Sequence, residues 1–196
     1  MIEDGWKVLC GLLLRFLPFT TVELELLKPD VSTLSLKKGA AFAEEGKVAK
    51  LVGIVVQGDM RHYYTRDGLE RTTYFYFEGA LVGAYISCMT GEPSRLTIEA
   101  ITDCELLVFP YAALKNLFMK SHTWERFGRL LAEYLAKGLE ERMVTLLMMS
   151  PEERYQDLLA SNKDKILARI PQHYIASYLG ITPVSLSRIR GRSSKK

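Results

Sequence analysis

Residues 124–149 contain no proline, and their apolar residues Phe127, Leu130, Leu131, Tyr134, Leu135, Leu139, Met143, Leu146 and Leu147 recur at i, i+3, i+4 and i+7. That spacing predicts one helix of about seven turns, about 39 Å long at 1.5 Å per residue. A helix of this length leaves the body that precedes it, and its apolar stripe needs a cover. Two covers are open: the chain's own body, or the same helix of a second copy, as in a coiled coil. We take the second, a homodimer seam over 124–149. The helix then divides the chain into three units: 1–120, 121–149 and 150–196.

The sequence before the long helix has a different texture. The first 25 or so residues read as helical, with Trp6, Leu9, Cys10, Leu13, Leu14 and Leu17 on one face up to Pro18. From Pro29 to Pro110, short β-rich runs alternate with turn signals, and the candidate strands are 31–36, 50–56, 60–65, 71–77, 80–82, 94–100 and 105–109. Turns are marked by Lys38-Gly39, Glu45-Gly46, Gln57-Gly58-Asp59, Asp67-Gly68, Glu78-Gly79 and Thr90-Gly91-Glu92-Pro93. Arg66-Asp67-Gly68 is the clearest hairpin. Many short strands at regular spacing predict an antiparallel sandwich or barrel of the jelly-roll type, and the chain as a whole is α+β.

Beyond the long helix, Ser150-Pro151-Glu152-Glu153 breaks and restarts helix, with Ser150 as N-cap and Glu153 completing a capping box. The segment 171–190 then carries the strongest functional signal. Pro171 opens a short helix, Gly180 ends it in the left-handed conformation, Thr182 caps a second helix and Pro183 occupies its first turn. Two helices joined by three residues cross closely, so a small residue is needed at the contact, and Ala176 supplies it. Ile175, Leu179, Ile181, Leu186 and Ile189 are spaced to form the buried seam. This is the helix-turn-helix pattern.

Charge follows the same division. Residues 161–196 carry eight Lys and Arg (Lys163, Lys165, Arg169, Arg188, Arg190, Arg192, Lys195, Lys196) against Asp164 alone, a balance of +7, whereas residues 1–160 sum to −4. A mildly acidic body with a basic end is the distribution expected when only that end meets a polyanion, here double-stranded DNA. In a recognition helix the N-terminal residues face base edges, so Thr182, Val184, Ser185, Ser187 and Arg188 are the candidate readers, with Arg188 placed for guanine O6 and N7. Arg190 and Arg192 suit phosphates.

Other chemistries find little support. Cys10, Cys88 and Cys104 are too few and too scattered for a disulfide framework, a zinc site or a four-cysteine cluster. Of the three histidines only His62 falls among the strands, which leaves no ligand set for a metal cupin. Flanked by Arg61 and Tyr63, it reads as a surface or strand-edge residue. No catalytic constellation and no metal site can be assembled. The apolar stretch 8–19 is broken by Arg15 and Pro18 and is too short to cross a bilayer, so we expect no membrane partner and a cytoplasmic location.

A β-jelly roll, a long helix and a helix-turn-helix in that order resemble the Crp/Fnr family of bacterial transcription regulators. The resemblance is carried by Gln57-Gly58, Phe77-Glu78-Gly79-x3-Gly83, Pro93-Ser94-Arg95, Ala100, Glu105-Leu106-Leu107 and the motif at 171–190, and it is strongest to short Bacteroidetes-type members. It implies a cyclic nucleotide-binding-like double-stranded β-helix, a homodimer whose long helices pair, and a winged-helix type of C-terminal unit. It also implies recognition of half of a palindromic operator by each copy, and RNA polymerase as a partner.

It further implies an effector pocket at Gly83, Ala84, Tyr85, Ser94 and Arg95. Here the sequence departs from members that bind cyclic AMP. Their cassette has a Glu after the glycine, for the ribose hydroxyl, and an Arg about ten residues on, for the phosphate. Ala84 and Ser94 stand at those positions, and Arg95 is one residue out of phase. The expected effector is therefore a small molecule other than a cyclic nucleotide, or none. Pro183-Val184 replaces the Arg-Glu of many members, so the operator should differ, and about six residues after the recognition helix imply a trimmed wing. Two alternatives stay open: a cupin-type binding protein or enzyme, and a regulator that has lost DNA binding.

Overall fold

The computed structural model describes residues 2–160 and 164–193. The chain opens with helices α1 (Ile2–Phe16) and α2 (Thr21–Glu25) and one 3-10 turn at Lys28–Asp30. Eight strands follow: β1 (Ser32–Leu36), β2 (Ala41–Ala43), β3 (Leu51–Gln57), β4 (Met60–Arg66), β5 (Leu69–Tyr76), β6 (Leu81–Val82), β7 (Thr97–Ala100) and β8 (Cys104–Pro110), with helix α3 (Tyr85–Thr90) between β6 and β7. Helices α4 (Tyr111–Lys120), α5 (His122–Met148), α6 (Pro151–Ala160), α7 (Asp164–Arg169), α8 (Gln172–Leu179) and α9 (Pro183–Ser193) complete the order.

The strands form two four-stranded antiparallel sheets, β1-β8-β3-β6 and β2-β7-β4-β5. This is jelly-roll topology in two packed sheets, not a closed barrel. Between the sheets lie Val55, Met60, Tyr76, Val82, Ala84, Ile98, Ala100, Leu106 and Val108, so the interior is filled by side chains. Gly58 makes the β3–β4 turn possible: its φ is +100°, and a Cβ there would sit 2.6 Å from the Asp103 carbonyl.

The sequence reading differs from the structure in three places. β2 is not among the predicted strands: it has only three residues, Ala41-Phe42-Ala43, two of them alanines of low β-propensity. Residues 85–90, between the predicted strands 80–82 and 94–100, form a short helix ended by Gly91 in the left-handed region. The predicted strand at 94–100 begins only at Thr97, because the Ser94 hydroxyl folds Ser94 to Leu96 into a turn, donating to the Leu96 carbonyl (2.8 Å) and accepting from its N–H (3.2 Å).

Each sheet has a helical cover. The outer face of β1-β8-β3-β6 is packed by α1, α4 and the first turns of α5, through Leu9, Leu13, Phe109, Leu114, Trp124, Phe127 and Leu131. Trp124 Nε1 donates to the Glu23 carbonyl at 3.0 Å, which ties α5 to α2. The other sheet is covered by the C-terminal helices: Phe75 and Ile101 join Tyr155, Leu158, Ile166, Ile170, Ile175, Ala176, Leu179, Leu186 and Ile189 in one cluster. Along α5 the apolar stripe changes character. Trp124, Phe127 and Leu131 are buried, whereas Leu139 is 70% and Leu147 74% exposed, with Met143 exposed between them.

Candidate nucleic-acid interface and its coupling to the β-sandwich

The helix-turn-helix is built as its residues require. The Gly180 φ of +71° turns the chain out of α8, and the Gly180 and Ile181 N–H groups donate to the Ser177 and Ala176 carbonyls at 3.0 Å each. Ala176, fully buried, sits at the crossing of α8 and α9. Thr182 caps α9 by accepting from the Ser185 N–H at 3.2 Å. Leu186 and Ile189 turn inward, and the opposite face of α9 displays Thr182, Val184, Ser187, Arg188, Arg190 and Arg192, with Ser185 half-buried.

The cations of the basic segment do not all face solvent. Arg192 lies 3.3 Å from Glu152. Arg169 turns into the β-sandwich, where its Nε donates to Asp59 Oδ2 (3.1 Å) and its Nη atoms donate to both Glu78 oxygens (2.9 and 2.6 Å). Lys165 adds a contact to Glu78 at 3.4 Å. The Arg169 hydrogen bonds hold the Glu78 carboxyl at about 2, well below its usual range, whereas burial pushes Asp59 upward against the pull of Arg169. Lys163, Lys195 and Lys196 lie outside the described residues.

Two further contacts fasten α8 to the sheet. The Ser177 hydroxyl accepts from the Thr72 N–H and donates to the Glu70 carbonyl, both at 3.0 Å, and so caps the outer edge of β5. Arg61, only 2% exposed, points outward from β4 with its guanidinium 4.0 Å from the rings of both Tyr63 and Tyr174, and pairs with Glu70 (2.6 Å) and Glu99 (2.7 Å). Asp59, Arg61, Glu78, Arg169 and Ser177 thus join the two halves of the molecule. Sequence reading placed Asp59 and Glu78 in turns and Ser177 at an unconstrained position, because ion pairs across more than ninety residues leave no local signature.

The residues expected to form an effector pocket differ in burial. Ala84 and Ser94 are buried, Gly83 and Tyr85 are half-buried, and Arg95 is exposed. No carboxylate stands at Ala84, and the Ser94 hydroxyl is occupied by Leu96. Tyr85 packs on Tyr111 with ring centroids 6.0 Å apart.

His62 corrects the surface reading: it faces the sandwich interior between Tyr64 and Tyr76, its Nδ1 3.3 Å from the Tyr76 hydroxyl. Alternation along β4 decides this, since Met60 and His62 share the inner face while Arg61 takes the outer one. Among the described residues, no group of three His, Cys, Asp or Glu could hold a metal ion, and no helix is long and apolar enough to cross a membrane. Burial raises all three thiols, which disfavours thiolate chemistry.

Comparison with known proteins agrees with this architecture. Residues 33–121 match the family described as the cyclic nucleotide-binding domain. The chain is 26% identical to the fumarate and nitrate reduction regulatory protein of Vibrio cholerae over 201 residues, covering 95% of this chain and 79% of that protein. Among solved structures, FixK2 from Bradyrhizobium japonicum superposes with a TM-score of 0.72 at 21% identity, over 84% of this chain and 85% of its own. The catabolite activator protein of Thermus thermophilus does so with a TM-score of 0.58 at 22% identity, over 92% and 86%. At these identities the two structures speak for the fold.

Burial lowers the His62 pKa from 6.5 to about 4, so the ring is neutral in the folded chain near neutrality. The unfolded chain takes up that proton first. The stability this provides is complete above pH 6.5 and is lost as pH falls towards 4, by about 3 kcal/mol at most. Urea denaturation across this range should show the loss in the wild type, and His62→Gln should remove that step.

Proposed function

We propose that the protein is a homodimeric transcription regulator of the Crp/Fnr type that reads a palindromic operator, with residues 33–121, which match the cyclic nucleotide-binding domain, as its β-sandwich. The observation that carries the reading is the display on α9: a capped N-terminus at Thr182, a buried seam at Leu186 and Ile189, and Thr182, Val184, Ser187 and Arg188 on the opposite face. In this reading Thr182, Val184, Ser185, Ser187 and Arg188 meet base edges, and Arg190 and Arg192 meet phosphates. Its three working units are 1–120, 121–149 and 150–196. The second copy pairs along α5, where Leu139, Met143 and Leu147 form an exposed stripe at i, i+4 and i+8. The half-sites then lie about 34 Å apart.

The β-sandwich is the sensory part, and cyclic AMP is not its effector. The reason is chemical: a methyl group at Ala84 cannot accept from a ribose hydroxyl, Ser94 spends its hydroxyl on Leu96, and Arg95 faces solvent. Its effector, if it takes one, is another small molecule seated near Gly83 and Tyr85. A cytoplasmic location and RNA polymerase as a downstream partner belong to the same reading.

Fluorescence anisotropy with operator and random duplexes tests the assignment of α9. Arg188→Ala should reduce discrimination by about 1–3 kcal/mol while leaving binding to random duplex nearly unchanged. Full discrimination in the variant would remove Arg188 from base reading. Sedimentation tests the seam: the wild type should run as a dimer, and Leu139→Glu with Leu147→Glu as a folded monomer.

A further inference from the structure

Most arginines of the described residues are either paired or wet. Arg61, Arg66, Arg129, Arg169 and Arg192 have carboxylate partners, and Arg15, Arg71, Arg95, Arg126 and Arg188 are exposed. Arg142 on α5 and Arg154 on α6 fit neither group. Both are half-buried, neither has an ion-pair partner among the described residues, and each keeps a buried Nε–H without an acceptor.

They are also neighbours. The Arg154 Nη1 lies 3.1 Å from where a Cβ on Gly180 would be, and Leu146 of α5 is 3.9 Å from the same point. Arg142 donates through Nη2 to the Tyr178 carbonyl at the end of α8, and its guanidinium stacks 3.9 Å over the Tyr178 ring. Burial, reinforced by the Arg154 charge, lowers the Arg142 pKa, with the Tyr178 contact opposing.

The carboxylates of the first turn of α6 do not neutralise the pair. Glu153 accepts from the Ser150 N–H at 2.7 Å, and Glu152 faces Arg192 at 3.3 Å. Two neighbouring half-buried guanidiniums, each with a buried Nε–H and without a carboxylate partner among the described residues, are unfavourable unless an anion joins them. Their planar forks match the oxygens of a phosphate better than those of a spherical ion.

We propose that Arg142 and Arg154 form a binding site for a phosphate group at the junction of α5, α6 and the turn between α8 and α9. The group is a free phosphate or phosphate ester, or a phosphodiester of a bound duplex. In either case it bridges the long helix to the turn that carries Thr182. The site goes beyond the reading of α9 above, because its first test requires no DNA.

The test has two arms, each on the purified full chain with Arg154→Gln and, as a control on the exposed surface, Arg15→Gln. In the first, melting temperature is measured in sodium phosphate against sodium chloride at matched ionic strength. At about ten times Kd, a free-phosphate site raises the wild-type and R15Q values by roughly 3–6 °C and leaves R154Q unmoved.

In the second arm, duplex binding is measured against salt in phosphate-free buffer. A phosphodiester contact lowers the salt slope by about one in R154Q and not in R15Q. A response in the first arm identifies a free phosphate, and a response in the second alone identifies the DNA backbone. If R154Q matches the wild type in both arms, the proposal is overturned. Where the chain binds no duplex, the first arm decides alone. Arg154→Met, which keeps an unbranched aliphatic side chain without the charge, replaces R154Q if that variant does not fold.

Discussion

The arrangement of the whole molecule depends on how the open edge of β5 is closed. An edge strand presents backbone donors and acceptors that must be paired or wetted, and here the Ser177 hydroxyl satisfies two of them, the Thr72 N–H and the Glu70 carbonyl. That one side chain places α8 against the second sheet. Phe75 and Tyr178 then pack together, with tilted rings whose centroids are 5.4 Å apart, and the cluster that forms the helix-turn-helix core extends without interruption onto the β-sandwich. The first sheet is covered by α1, α4 and α5 in the same manner, so the sandwich is enclosed from both sides by helices of one chain.

Electrostatics reinforce the same junction. Burying Asp59 and Arg61 at 3% and 2% exposure would be costly for lone charges. Arg169 grips Asp59 and Glu78, while Glu70 and Glu99 grip Arg61 between two aromatic rings. The basic character of residues 161–196 therefore has two parts. Lys165 and Arg169 hold the helices to the acidic β-sandwich, and Arg188 remains on the outer face of α9. A balance of +7 that suggests a polyanion partner for every cation overstates the surface on offer.

What could be read in the sequence was what local chemistry dictates. The helix-turn-helix was legible because a left-handed glycine, an N-cap threonine and an alanine at the crossing are each demanded by backbone geometry within a few residues. The long helix was legible from its period, and seven of the eight strands from turn residues and β-rich runs. The Ser94 to Leu96 turn shortened the sixth of these predicted runs, 94–100. β2 escaped because three residues with one inward side chain make no pattern. His62 was misplaced because its neighbours in sequence, Arg61 and Tyr63, are not its neighbours on the inner face of β4. The junction residues Asp59, Glu78, Arg169 and Ser177 were invisible for a deeper reason: their partners come from the opposite end of the chain, and only the fold brings them together.

Hydrogen exchange at the Thr72 amide tests most directly whether the helix-turn-helix is seated on the β-sandwich. Thr72 faces away from β4 into the Ser177 hydroxyl, so its protection reports the seating of α8 and nothing else in the sheet. The account predicts protection comparable to the amides of central strand β8 in the wild type, and its loss in Ser177→Ala while β8 remains protected. Exchange of the wild-type Thr72 amide at the rate of an open strand edge would contradict it.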